Sequence, residues 1–123
     1  IMGNEIKIIV LKNTTNIDAP PKRKHVFTLT EYVMNPRANF RYLVFCLSKR
    51  FHNKNWIITL KSLLTTHILT NCPSYKFIRN LAKDTDIFKI TNCLQNDTMS
   101  SVNMNVLAIS YANFLKQKCK AFN

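Results

Sequence analysis

The chain has 123 residues, enough for one domain, and 46% of them are hydrophobic, which supplies a closed core and excludes a disordered polymer. A single glycine excludes a Gly-cradled phosphate loop or a dinucleotide fingerprint and disfavours the tight turns of an all-β protein. Eighteen Lys and Arg against six Asp and Glu leave a formal net charge of +12, a balance suited to a polyanionic partner: nucleic acid, an anionic membrane or a phosphorylated ligand.

The surviving class is all-α, and apolar residues recur at spacings of three and four along most of the chain. Ile6, Ile9 and Val10 predict a short first helix running to about Thr15. Pro20-Pro21 breaks the chain and opens a second helix, about Lys22 to Val33, with Val26, Leu29 and Val33 inward. Asn35-Pro36 ends it. Asn39 caps a third helix over Phe40 to Phe51, whose inner stripe is Phe40, Leu43, Val44, Leu47 and Phe51.

Asn53 or Asn55 caps a fourth helix over Trp56 to Thr70. Trp56, Ile57, Leu60, Leu63, Leu64, His67 and Ile68 cover much of its girth, so it is expected to be the central, most buried helix. Pro73 or Ser74 starts a fifth through Lys83, with Phe77, Ile78 and Leu81 inside. Ile87 to Cys93 reads as a short sixth. A seventh, about Ser101 to Lys120, is expected to bury Val102, Val106, Leu107, Tyr111, Phe114 and Leu115. The short loops favour antiparallel neighbours or a stacked solenoid. Residues 1–123 read as one domain, with Ile1 ahead of Met2 taken as a cloning remnant.

The longest apolar run, Tyr42 to Leu47, is far short of the roughly 18 residues that span a bilayer. Cys46, Cys72, Cys93 and Cys119 form no CxxC pair and, with no secretory signal, read as reduced residues of a cytosolic protein. No catalytic site emerges. Asp84 and Asp86 sit in a polar connection and read as a solvated turn and cap. His25, His52 and His67 lack ligand spacing to one another or to any Cys, so neither metal nor cofactor is expected. His67 reads as a hydrogen-bonded core histidine. A binding module is expected, not an enzyme.

The densest positive cluster is Lys22-Arg23-Lys24-His25, directly after Pro20-Pro21. A helix start disfavours cations by a few tenths of a kcal/mol each, through the helix dipole. A bound polyanion reverses that penalty, because backbone N–H groups, dipole and ammonium groups then converge on the same phosphates. Lys12 lies ten residues upstream of Lys22, and a helix–loop–helix would fold it back beside the cluster. The competing reading is a solvated basic turn or a nuclear-localisation-like patch.

Lys12-Asn13-Thr14, six residues, then Pro21-Lys22-Arg23-Lys24-His25 resembles the phosphoinositide-binding signature of the ANTH domain, found in the monomeric clathrin-assembly adaptors of the ENTH/ANTH superfamily. Asn13 stands where that family has a small apolar residue. The run Asn55-Trp56-Ile57-Ile58-Thr59-Leu60-Lys61 through His67 resembles the family's central helix, and Phe77-Ile78 with Leu81-Ala82 the helix after it. Met99-Ser100, then Tyr111, Phe114-Leu115 and Lys118, resemble a later stretch, so the likeness covers roughly Lys12 to Lys120.

The resemblance implies an all-α, right-handed superhelical solenoid of about six or seven helices, truncated relative to a full ANTH domain. It implies binding of phosphatidylinositol 4,5-bisphosphate at the cytosolic face of the plasma membrane or of clathrin-coated pits and vesicles. Carried over by position, the ligands are Lys12, Lys22, Lys24 and His25, while Arg23 occupies the variable position and points elsewhere. Clathrin and adaptor proteins are implied as partners through a tail absent here, and a monomer is expected. Each basic residue near an anionic surface contributes about 1 kcal/mol. Four together give an affinity of about millimolar to tens of micromolar. The alternative function is a helical superhelix that reads RNA or a phosphorylated peptide. It predicts a groove rich in Arg and aromatics, whereas 13 of the 18 basic residues are Lys, so no nucleic-acid partner is expected.

Overall fold

The computed structural model describes residues 3–90 and 99–122. Among these residues six α-helices follow one another: α1 (Gly3–Asn13), α2 (Arg23–Met34), α3 (Phe40–Phe51), α4 (Trp56–Thr70), α5 (Tyr75–Ala82) and α6 (Met99–Phe122). A 3-10 turn, Thr85–Phe88, lies between α5 and α6. No strand occurs among the described residues, and no helix there is long and apolar enough to cross a membrane.

Two starts are set by asparagine side chains. Asn39 accepts a hydrogen bond from the Tyr42 N–H at 3.0 Å, and its own N–H donates to the Tyr32 hydroxyl at 2.6 Å. Asn55 accepts from the Ile57 N–H at 2.9 Å, while Asn53 Oδ1 accepts from the Asn55 N–H at 2.8 Å. Asn55 is therefore the cap of α4 and Asn53 braces it. These caps satisfy amides that the helix itself leaves open. That is why α3 and α4 begin at Phe40 and Trp56, as their sequence predicts.

Most helices pack against the next in the chain and the one after. Helix α1 meets α2 and α3, α2 meets α4, α3 meets α4 and α5, and α4 meets α5 and α6. The result is the all-α solenoid expected. Its core holds Leu29, Val33, Leu43, Leu47, Phe51, Leu63, Leu69, Phe77, Leu81, Phe88 and Leu115, with Phe51 and Phe88 stacked at 5.4 Å. Cys46 and Cys119 are buried and Cys72 half-buried, all three as free thiols.

Three sequence expectations are corrected. Helix α4 is central, but its most buried face is largely polar: Thr59, Ser62, Thr65 and Thr66 are fully enclosed, whereas Trp56, Ile57, Leu60, Leu64 and Ile68 are half-exposed. Small hydroxyl residues let neighbouring helices approach. They also return their hydrogen bonds locally, Ser62 to the Thr59 carbonyl at 2.7 Å and Thr66 to the Ser62 carbonyl at 2.8 Å.

Helix α6 buries Ala108, Ala112, Leu115 and Cys119, and leaves Val106, Leu107 and Phe114 61%, 50% and 53% exposed. Its inward stripe follows a regular three-and-four spacing of mostly small residues, which turns the bulkier ones outward. The third correction concerns the short sixth helix. A 3-10 turn over Thr85–Phe88 begins two residues ahead of its expected start at Ile87 and takes in Ile87 and Phe88, and Ile90 is buried beyond that turn. Residues 91–98, including Cys93, and the side chain of Val102 lie outside the described residues. His67 is hydrogen-bonded through Nδ1 to the Tyr111 hydroxyl at 2.7 Å, edge-on to Tyr111 and Phe114, and burial with the nearby Lys118 charge pulls its pKa down.

Candidate functional site

The end of α1, the loop after it and the start of α2 form a hairpin clamped from three directions. Thr14 is fully buried; its hydroxyl donates to the Val10 carbonyl at 2.8 Å and accepts from Arg50 Nε at 2.9 Å. Arg50 Nη2 also donates to the Thr14 carbonyl at 2.7 Å. Lys61 reaches out of α4, where its Nζ donates to Thr15 Oγ1 at 2.9 Å and to the Ile17 carbonyl at 3.2 Å. Asn13 supplies the third clamp. Its buried Nδ2 donates to the Ile9 carbonyl at 2.9 Å and across to the His25 carbonyl at 3.1 Å, which sets α1 beside the first turn of α2.

Asn13 therefore has a structural task that the expected small apolar residue could not perform. Two cations and an amide close on carbonyl and hydroxyl oxygens that the chain exposes as α1 ends. The loop is held in shape by side chains 36 to 46 positions further along.

The clamped hairpin encloses an open cleft of about 430 Å³. Lys12, Lys22, Lys24 and His25 all line it, together with Lys61; Arg23 is not among its walls. The structure thus brings the four sequence-predicted residues together. Lys12 lies in the last turn of α1, where the helix dipole favours a cation. Lys22 is the N-cap residue of α2, no side chain caps that helix start, and no acidic residue occupies its first turn.

The His25 imidazole reports the local field. Its pKa is lowered from 6.5, first by desolvation and then by the charges of Lys24, Lys12 and Lys22. Three ammonium groups acting on one ring make the cleft a concentrated positive field. No carboxylate lines it among the described residues.

Lys61 was not anticipated as part of the cleft. Burial lowers its pKa, and Asp18 partly restores it. One signal was available: Lys61 is the single Lys or Arg in the Trp56–Thr70 helix. Its reach to Thr15 and Ile17, however, is a tertiary contact. Among the described residues no three His, Cys, Asp or Glu side chains gather as metal ligands.

The ANTH-domain family model matches residues 5–123. The chain belongs to the ANTH-domain family. Over 122 residues this ANTH chain is 28% identical to the phosphatidylinositol-binding clathrin assembly protein of Homo sapiens, covering 99% of the chain and 19% of that relative. It is 26% identical to the clathrin coat assembly protein AP180 of Homo sapiens over 122 residues, 99% of the chain and 14% of the relative. The phosphatidylinositol-binding clathrin assembly protein LAP of Drosophila melanogaster is 28% identical over 127 residues, with 100% of the chain and 27% of the relative covered. The ANTH chain thus spans less than a third of the length of these relatives.

Proposed function

We propose that this ANTH chain is the membrane-recruitment module of a clathrin-assembly, endocytic adaptor, and that it binds phosphatidylinositol 4,5-bisphosphate through Lys12, Lys22, Lys24 and His25. The observation that carries this reading is the convergence of those four residues, from two helices, on one open cleft without a carboxylate in its walls. Two of the relatives are phosphatidylinositol-binding by name and all three are clathrin assembly proteins.

The chemistry is division of labour around a polyphosphate. Lys22 and Lys24 sit where the α2 amides and dipole also attract anions. Lys12 approaches from the end of α1. Lysine supplies a compact point charge with three rotatable donors, suited to a headgroup presented at variable angles. Among the described residues the walls carry no Arg, Phe, Tyr or Trp, which favours point-charge contacts over the base stacking of an RNA groove. The module acts by binding, as a peripheral protein of the cytosolic leaflet at coated pits, with clathrin and adaptor proteins as partners of the whole protein.

Co-sedimentation with vesicles tests the reading. Pelleting is expected on vesicles containing the bisphosphorylated lipid and little on vesicles without it. Equal pelleting on both, or tighter and steeply salt-dependent binding to RNA, overturns it.

A further inference from the structure

The basic cleft has an apolar neighbour. Ala19, Pro20, Pro21 and Lys61 line both the cleft and a second groove of about 470 Å³. On the far side of these shared residues the groove is walled by Trp56, Ile57, Leu60 and Leu64 of α4 and by Leu107 and Tyr111 of α6. These are the side chains that the close packing of Thr59, Ser62, Thr66, Ala108 and Ala112 leaves at the surface. The volume lies within the range of about 300–1,000 Å³ found for small-molecule sites.

Charge is distributed unevenly along the groove. Its formally charged walls are Asp18 and Lys61, and both belong to the end adjoining the cleft, where Ala19 and Lys61 are shared. An ammonium has three donors. Lys61 directs two of them at Thr15 Oγ1 and the Ile17 carbonyl. The sequence of surfaces is therefore a cationic cleft, a boundary marked by Asp18 and by an ammonium with two of its three donors engaged, and then hydrocarbon. A phospholipid presents the same order: phosphorylated headgroup, ester-linked glycerol, acyl chain.

We infer that the groove between α4 and α6 takes one acyl chain of the phosphoinositide whose headgroup occupies the cleft, so that the lipid is bound as a partly extracted molecule and not by its headgroup alone. The inference rests on the phosphoinositide reading above and adds the groove to it. Continuity through shared walls argues for a single amphiphile spanning both depressions. An apolar peptide seated in the groove would have no need of the adjoining cations. Each methylene withdrawn from water tightens binding about fourfold, so even a short chain leaves a measurable signature.

Trp56 is the single tryptophan and lies in the groove wall, so its emission reports occupancy directly. The 123-residue chain is titrated with the soluble inositol trisphosphate headgroup, and with dibutanoyl and dioctanoyl phosphatidylinositol 4,5-bisphosphate kept monomeric. Dioctanoyl lipid is expected to bind at least tenfold tighter than the headgroup and to shift Trp56 emission to the blue, which the headgroup does not. Leu107 is half-exposed, so Leu107→Gln leaves folding intact; it is expected to remove the chain-length gain and leave headgroup affinity unchanged. Ile57→Gln is a second variant on the facing wall. Equal affinity for all three ligands with Trp56 emission unmoved overturns the groove inference and leaves the headgroup reading standing. A chain-length gain that survives in both variants overturns it as well. No binding of headgroup or lipid overturns the headgroup reading and the inference with it.

Discussion

Asn13 and His25 are joined side chain to backbone: the Asn13 amide, with no exposed surface, donates to the His25 carbonyl at 3.1 Å. The same nitrogen donates to the Ile9 carbonyl one turn back in α1. One amide therefore sets the distance between the helix that carries Lys12 and the helix turn that carries Lys22, Lys24 and His25.

That arrangement predicts how Asn13 responds to substitution. Its Oδ1 is buried without a hydrogen-bond partner among the described residues, which offsets part of what Nδ2 contributes. Asn13→Ala removes both at once and is expected to cost about 1 kcal/mol or less. Asn13→Asp replaces the donor by a buried acceptor facing two carbonyl oxygens and is expected to cost about 3 kcal/mol or more. Urea denaturation of the two variants measures the difference. An Asp variant as stable as the parent would show that the bridge does not form.

The cleft predicts unequal effects from neighbouring cations. Lys22→Glu combined with Lys24→Glu is expected to lower affinity for bisphosphate-containing vesicles by about 30-fold or more, from about 1 kcal/mol for each cation removed near an anionic surface. Arg23→Glu, one position from either and outside the cleft walls, is expected to change it only a few-fold. Co-sedimentation at fixed ionic strength compares them. A larger loss in the Arg23 variant would mean that the headgroup lies on a different face.

His25 makes binding depend on pH. Burial and then Lys24, Lys12 and Lys22 hold its pKa below 6.5, so the ring is neutral at pH 7 in the free domain. A phosphate in the cleft supplies opposing charge and raises that pKa, so binding takes up a proton. Affinity is expected to rise as pH falls from 7.5 to 6.0. Headgroup phosphates titrate in the same range, so His25→Gln is the control, and the rise is expected to be smaller in that variant. Stability runs the other way. A histidine whose folded pKa lies below its unfolded value of 6.5 contributes stability above that pH and loses it as pH falls through the lower, folded value. His67 acts in the same direction. Calorimetric titration and denaturation at several pH values separate the two trends.

Lys61 is expected to hold the loop more than the fold. Lys61→Met keeps most of the buried stem and removes the ammonium that reaches Thr15 and Ile17. Amide hydrogen exchange around residues 15–18 is expected to accelerate by about tenfold, the equivalent of one net hydrogen bond, while α3 and α5 are unchanged. Uniform acceleration across the chain would show that Lys61 supports the core as a whole.

The packing of α6 can be tested against its hydrophobicity. Ala112→Leu adds bulk to a fully enclosed position and is expected to cost about 1–3 kcal/mol. Phe114→Ala removes a far larger apolar group from a side chain that is more exposed than buried, and is expected to cost less than Ala112→Leu. Thermal or urea denaturation ranks the pair. The reverse order would place Phe114 in the core, where its apolarity alone would put it.

Local chemistry was enough to settle much of this molecule. Asn39 and Asn55 cap the helices that follow them, and the proline pair marks the entry to α2, because capping and φ restriction act within a few residues. The spacing of Lys12 from Lys22, Lys24 and His25 was also visible as a pattern, since a helix and a short loop leave few ways to fold back. What the linear pattern misplaced were the inward faces of α4 and α6. Periodicity weighs how apolar a side chain is, whereas packing also weighs how much room the neighbouring helix leaves. Serine, threonine and alanine won those interior positions by being small. The clamps on the cleft were likewise illegible in advance. Arg50 and Lys61 find their oxygen partners 36 to 46 positions away, across distances that only the folded backbone closes.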